Sequence, residues 1–144
     1  MRLSRRYNLT ESDLKAIEKK LFRYQKIDSA IQYRKYELEM KITDSNIGGS
    51  RSNKISKPTE DIVMKWDADG KLQSLYEFKR RISELQKWFS DDEELNLIFS
   101  YRWLSEKHYT VSEIAAKCNI TERQYFRKRR AILEKYDEIS DGFW

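Results

Sequence analysis

The chain has one cysteine, one histidine, one proline and four glycines among its 144 residues. Each scarcity removes a class of chemistry. A lone Cys118 forms no intrachain disulfide, so nothing points to an oxidising compartment and the cytosol is expected. With only His108 beside it, the chain lacks the ligand set of a zinc site and the partners of a nucleophilic dyad. No metal, no cofactor and no catalytic residue is expected, and the protein is not read as an enzyme. No apolar run follows the N-terminal arginines, and none approaches the length of a membrane span, so neither secretion nor membrane insertion is expected. Few glycines and a single proline leave long uninterrupted segments in which helix is the default.

What the sequence has in quantity is charge, 37% of all residues, with a net charge of +5. Its placement is uneven: residues 1–9 carry +3, residues 121–136 carry +4 and residues 137–144 carry −3. Two short basic blocks favour a polyanionic partner.

The expected fold is all-α. From Thr10 to Ile42 the apolar residues Leu14, Ile17, Leu21, Tyr24, Ile31, Leu38 and Ile42 follow a heptad-like spacing, which predicts one amphipathic helix roughly 48 Å long. Residues 43–58 lose the periodicity and collect Asn46, Gly48, Gly49, Asn53 and Pro58, a loop. Helical spacing resumes over 59–89, with Leu75, Phe78, Ile82, Leu85 and Phe89 on one face and a break or bend at Asp67–Gly70. The narrow stripe of the first helix needs a partner. An intramolecular helical hairpin and an intermolecular coiled coil both supply one, and the sequence does not choose between them.

Residues 90–144 are expected to form a three-helix domain that folds by itself. Ser90 with Glu93, Thr110 with Glu113 and Thr121 with Gln124 fit the capping-box pattern and predict helix starts near 91, 111 and 122. Within it, residues 110–133 have helix-turn-helix spacing. Ile114 and Cys118 face inward, Ala115 is small where the helices cross, Asn119 suits a left-handed turn, Ile120 plugs that turn and Tyr125 anchors the second helix. On the second helix, steps of 100° gather Tyr125, Phe126, Ile132, Leu133 and Tyr136 on an apolar face. Arg123, Gln124 and Arg127 point away, with Lys128 and Arg130 at the flanks. Arginine pairs bidentately with guanine and glutamine with adenine, so Arg123, Gln124 and Arg127 are candidate base readers of double-stranded DNA. Thr121, Lys128 and Arg130 are candidate phosphate contacts. Arg129 falls in the apolar sector, where its head must reach solvent or an acid. At the N-terminus, Arg5 and Arg6, with Arg2 and Tyr7, form either a phosphate-tracking arm or a frayed end.

The run Asp44-Ser-Asn-Ile-Gly-Gly-Ser-Arg51, followed by Asn53 and Pro58-Thr-Glu60, resembles the signature of the RinA-like transcriptional activators of phages infecting Gram-positive bacteria. A long helix before this loop and a sigma-region-4-like helix-turn-helix after it match in order and spacing. The resemblance implies activation of late phage genes with the host RNA polymerase, in the cytoplasm of a bacterial cell. Within the loop motif of Asn46, Gly48, Gly49 and Arg51, the glycines serve a flexible linker or let backbone approach a phosphate. A homo-oligomer is expected. The rival is a small terminase-like packaging subunit, which also joins a helix-turn-helix to oligomerising helices.

Other groupings carry less. Asp91–Glu94 are acids at a helix N-terminus, favoured there by the helix dipole. Asp67–Gly70 begins like a calcium loop, but Phe78 stands where the bidentate glutamate belongs. Trp66, Trp88 and Trp103 are expected in the core.

Overall fold

The computed structural model describes residues 9–47 and 58–144, with side chains given for 9–41 and 60–144. Arg2, Arg5, Arg6, Tyr7, Gly48, Gly49 and Arg51 lie outside the described residues. The described residues form helices and no strands: α1 (Glu11–Phe22), α2 (Ile27–Ile47), α3 (Pro58–Ala68), α4 (Gly70–Trp88), α5 (Glu93–Phe99), α6 (Val111–Cys118) and α7 (Glu122–Ser140), the all-α fold expected.

Helix boundaries depart from the sequence periodicity in places. Thr10 opens α1 with a capping box to Asp13. The expected long helix is then interrupted by a 3-10 turn over Arg23–Lys26. The tighter turn re-phases the stripe, so that Ile27 is buried while Tyr24 is only half-buried. Helix α2 then continues to Ile47, past the loop start expected at 43, and carries the backbone of Asn46. The break foreseen near Asp67–Gly70 falls at Asp69. Its carboxylate accepts from the Leu72 N–H (2.8 Å) at the start of α4. Ser90 opens no helix: its hydroxyl donates to the Lys87 carbonyl, and Asp92 caps α5 by accepting from the Leu95 N–H.

The chain divides into two compact units, Met1–Gln25 with Arg80–Trp144, and Lys26–Lys79. This differs from the segmentation 1–42, 43–58, 59–89 and 90–144 that the periodicity suggests.

In the Lys26–Lys79 unit, α2 packs on α3 and is tied to α4 by the Lys79–Asp28 pair, and the unit buries Ile27, Ile31, Leu38, Leu72 and Phe78. Lys79 bonds Asp28 and Arg34 forks onto both Asp69 oxygens, while Lys35 lies over the Trp66 and Tyr76 rings. Partner numbers fall as α2 numbers rise, so this is an antiparallel hairpin formed in cis. The Arg34 guanidinium holds the Asp69 carboxyl down at about 2.

In the other unit, α1 packs on α7 and on the π-helical turn Ser100–Leu104 that follows α5. Leu14, Ile17 and Leu21 join Ile82, Leu85, Phe89, Ile98, Phe99, Trp103, Tyr125, Ile132, Leu133 and Tyr136 in the core. Residues 90–144 are thus not self-contained, because one wall of their core comes from α1. Trp103 is buried as expected, whereas Trp66 is half-buried and Trp88 is 46% exposed.

One charge lies inside that wall. Glu18 is 7% exposed; its Oε2 accepts from Arg102 Nε (3.0 Å) and Arg129 Nε (3.1 Å), and its Oε1 accepts from the Nη2 of each arginine. The acid that the Arg129 head requires is therefore Glu18. Burial opposes ionisation of Glu18, but the hydrogen bonds from Arg129 and Arg102 outweigh it and leave its pKa below the ordinary value. A carboxyl depressed in the folded state contributes stability that is present above its unfolded pKa and lost as pH falls through the folded one. Glu18→Ala leaves two arginines facing each other without their acid and is expected to cost about 3–5 kcal/mol in denaturant unfolding at neutral pH. The difference between Glu18→Ala and the parent is expected to shrink as pH drops below the usual glutamate range. A loss under about 1 kcal/mol would show the clamp to be dispensable.

Candidate nucleic-acid interface

Helices α6 and α7 are joined by three residues, and local chemistry fixes each end of the joint. Thr110 and Glu113 form a complete capping box at the start of α6, and Thr121 and Gln124 form one at the start of α7. Asn119 ends α6 at φ 62° and ψ 41°. In that left-handed position its short polar side chain is tolerated where most others are strained. The Ile120 N–H returns to the Ala115 carbonyl (3.0 Å) and closes the turn. Ser112 donates to the Glu122 carboxylate (2.7 Å), tying the outer ends of the two helices.

The inner surfaces are as the spacing predicts: Ile114, Ala115, Cys118 and Tyr125 are buried, and Ile120 is half-buried. Burial pushes the Cys118 thiol pKa up, which keeps it protonated and unreactive. His108 is exposed, with its ring near Phe22. Among the described residues no cluster of His, Cys, Asp or Glu could hold a metal ion, and no helix is long and apolar enough to cross a membrane.

The basic side chains of α7 separate into two groups. Arg129 is committed to Glu18. Lys128 pairs with Glu94 of α5 at 2.8 Å. Arg130 forks between Glu134 (2.9 Å) and the Leu9 carbonyl (3.2 Å). Arg123 and Arg127 are exposed and have no ion-pair partner among the described residues. One turn apart on the outer arc of the helix, they can both address a single polyanionic surface.

Thr121 and Gln124 are also exposed, but their oxygens are engaged. The Thr121 hydroxyl oxygen accepts from the Gln124 N–H (3.1 Å), and the Gln124 side-chain carbonyl accepts from the Thr121 N–H (2.9 Å). Bidentate pairing with adenine needs both the carbonyl and the amide of Gln124. In the capped helix only the amide is left to donate.

Phe126 corrects the helical-wheel assignment. It lies at the edge of the apolar sector and is 48% exposed, its ring set edge-on against buried Tyr125 at 5.3 Å. The sector is narrower than the wheel suggests because Arg129, held by Glu18, occupies inner space. A large apolar group thus stands on the outer surface one turn from Arg123 and from Arg130. Its sequence signal was its position at the rim of the apolar arc, adjacent to cations on two sides.

A family model described as "Protein of unknown function (DUF722)" matches residues 15–138. No curated protein and no solved structure shows significant similarity to the chain.

The turn yields a direct test. Asn119→Ala is expected to lower stability by about 1–2 kcal/mol, because alanine has no side-chain group to compensate the left-handed conformation. Asn119→Gly, which adopts it freely, is expected to stay within about 0.5 kcal/mol of the parent. Equal losses for both variants in chemical denaturation would mean that the side chain of Asn119, and not its backbone geometry, matters.

Proposed function

Since the chain belongs to the DUF722 family, whose description assigns no activity, we propose a role from its geometry: it is a sequence-specific duplex-DNA-binding protein that presents α7 to the major groove. The observation carrying this reading is the outer arc of Arg123, Phe126 and Arg127. Two uncommitted arginines and one exposed aromatic stand on a helix whose opposite side is locked into a helix-turn-helix core. Arginine forks match guanine O6 and N7, and an apolar ring suits the thymine methyl. Arg123 and Arg127 are the primary base readers, with Phe126 as a further one. Gln124 contributes only its side-chain amide N–H donors while the capping box holds.

Phosphate contacts fall to the Thr121 hydroxyl and, more weakly, to Lys128 and Arg130, which must share their charge with Glu94 and Glu134. The resemblance to RinA-like activators extends the proposal to activation of late phage genes together with the host RNA polymerase. The role proposed is one of binding.

Selection of bound sequences from random duplex DNA provides the test, followed by titration of the selected site. Arg127→Ala is expected to cost about 1–3 kcal/mol on the selected site and much less on random DNA. Replacing a contacted thymine by deoxyuridine, which lacks only the methyl, is expected to weaken the parent chain but not Phe126→Ala. Binding should fall steeply with salt as counterions are displaced. Failure to enrich any sequence, together with salt-independent binding, would remove the DNA-reading role.

A further inference from the structure

Helix α2 is apolar on two opposite faces. Ile27, Ile31 and Leu38 are buried on the inner one, which packs on α3. Half a turn away in helical phase, Tyr33, Tyr36 and Met40 form a second stripe, and they are 64%, 57% and 44% exposed. The stripe that needed a partner helix, in cis or in trans, is satisfied in cis, whereas this one has no partner among the described residues. A surface helix that needed only to close its hairpin would place polar side chains here.

We propose that this outer face of α2 is the contact between two copies of the chain, related by a two-fold axis and with their α2 helices antiparallel. The self-complementarity of the stripe is the argument. A two-fold perpendicular to the helix near Tyr33 brings tyrosines of one copy against tyrosines of the other, where offset or edge-on ring contacts form.

The charges follow the same symmetry. Lys26, immediately before α2, is exposed and has no ion-pair partner among the described residues. Lys26 and Glu37 lie on the same flank of the stripe, Glu37 already pairing with Arg34 at 3.2 Å through one oxygen, and such a two-fold keeps equivalent flanks together. The Lys26 end of each helix then approaches Glu37 of the other to within about one turn. A parallel pair would leave Lys26 level with its own copy and about 16 Å along the axis from either Glu37. Antiparallel packing also places the positive end of each helix dipole beside the negative end of its neighbour.

Three side chains alone expose less than the roughly 800 Å² per partner of a standard stable interface. With the two-fold near Tyr33 the two helices overlap from about Lys26 to Met40, roughly 21 Å, and the contact is expected to be of moderate affinity. Both members of the pair are this same unit, so the inference does not depend on DNA binding.

Sedimentation velocity on the full-length chain tests it, at concentrations up to about 100 μM and without DNA. The parent chain is expected to be a dimer, and Tyr33→Lys with Tyr36→Lys is expected to raise the dimer dissociation constant by at least about tenfold with an unchanged thermal melt. Tyr36→Ser alone, a milder change at an exposed position, should weaken the dimer in the same direction if the double variant folds poorly. Lys26→Glu should weaken it too, and adding Glu37→Lys should restore it. Met64→Lys, at a 68% exposed position on α3, should leave it intact. A monomeric parent, a ring of about eight or more subunits, or dissociation by Met64→Lys but not by the tyrosine variants would overturn the proposal. A dimer that binds no DNA would uphold it while removing the function proposed above.

Discussion

The buried Glu18 carboxylate ties three segments of the larger unit together. Glu18 sits on α1, and the two arginines that clamp it come from the π-helical turn after α5 and from the middle of α7. A charge withdrawn from water is costly, and one negative group between two positive ones is stable only when hydrogen bonds satisfy both of its oxygens. That requirement sets where α1 lies against α7 more narrowly than the surrounding leucines and isoleucines can, because apolar packing tolerates small slides and a bidentate fork does not. The Gln25 side chain adds a bond to the Trp103 carbonyl (2.8 Å) at the end of the same wall. The Arg102 guanidinium also lies over the Phe22 ring.

The clamp changes what the basic helix has to offer. Residues 121–136 carry a net +4, yet Arg129 is spent on folding, and Lys128 and Arg130 are bound to acids of the same chain. The field that a polyanion would meet is built chiefly from Arg123 and Arg127, and is smaller and better directed than the total suggests. Intrachain pairs at the flanks have a second effect. A cation already bonded to a neighbouring carboxylate gains less from any further anion.

The smaller unit follows a different economy. Its hairpin is tied by a forked Arg34–Asp69 pair, in which Asp69 also caps α4. One acid thereby ends one helix, begins the next and holds both to α2. With the hairpin closed on one side of α2, the tyrosine stripe on the other side is exposed among the described residues.

Much of this was legible in the sequence because it rests on short-range rules. Helical periodicity, the capping boxes at Thr110 and Thr121, the left-handed Asn119 and the small Ala115 each depend on residues within one or two turns. Those rules sufficed for the all-α fold and for the joint between α6 and α7. They failed where a local pattern had competitors. Ser90 with Glu93 fits the capping-box pattern, yet Asp92, read from the sequence only as an acid favoured by the helix dipole, is the residue that caps α5. Periodicity likewise could not register the 3-10 turn at Arg23–Lys26, since a re-phased stripe still reads as roughly helical. Long-range partners were beyond reach altogether. That Arg129 meets Glu18, 111 residues away, that α1 completes the core of the C-terminal helices, that Phe126 stands outside and that α2 closes its hairpin in cis were decided by tertiary structure. Burial and charge pairing are properties of surfaces that exist only once distant segments have met.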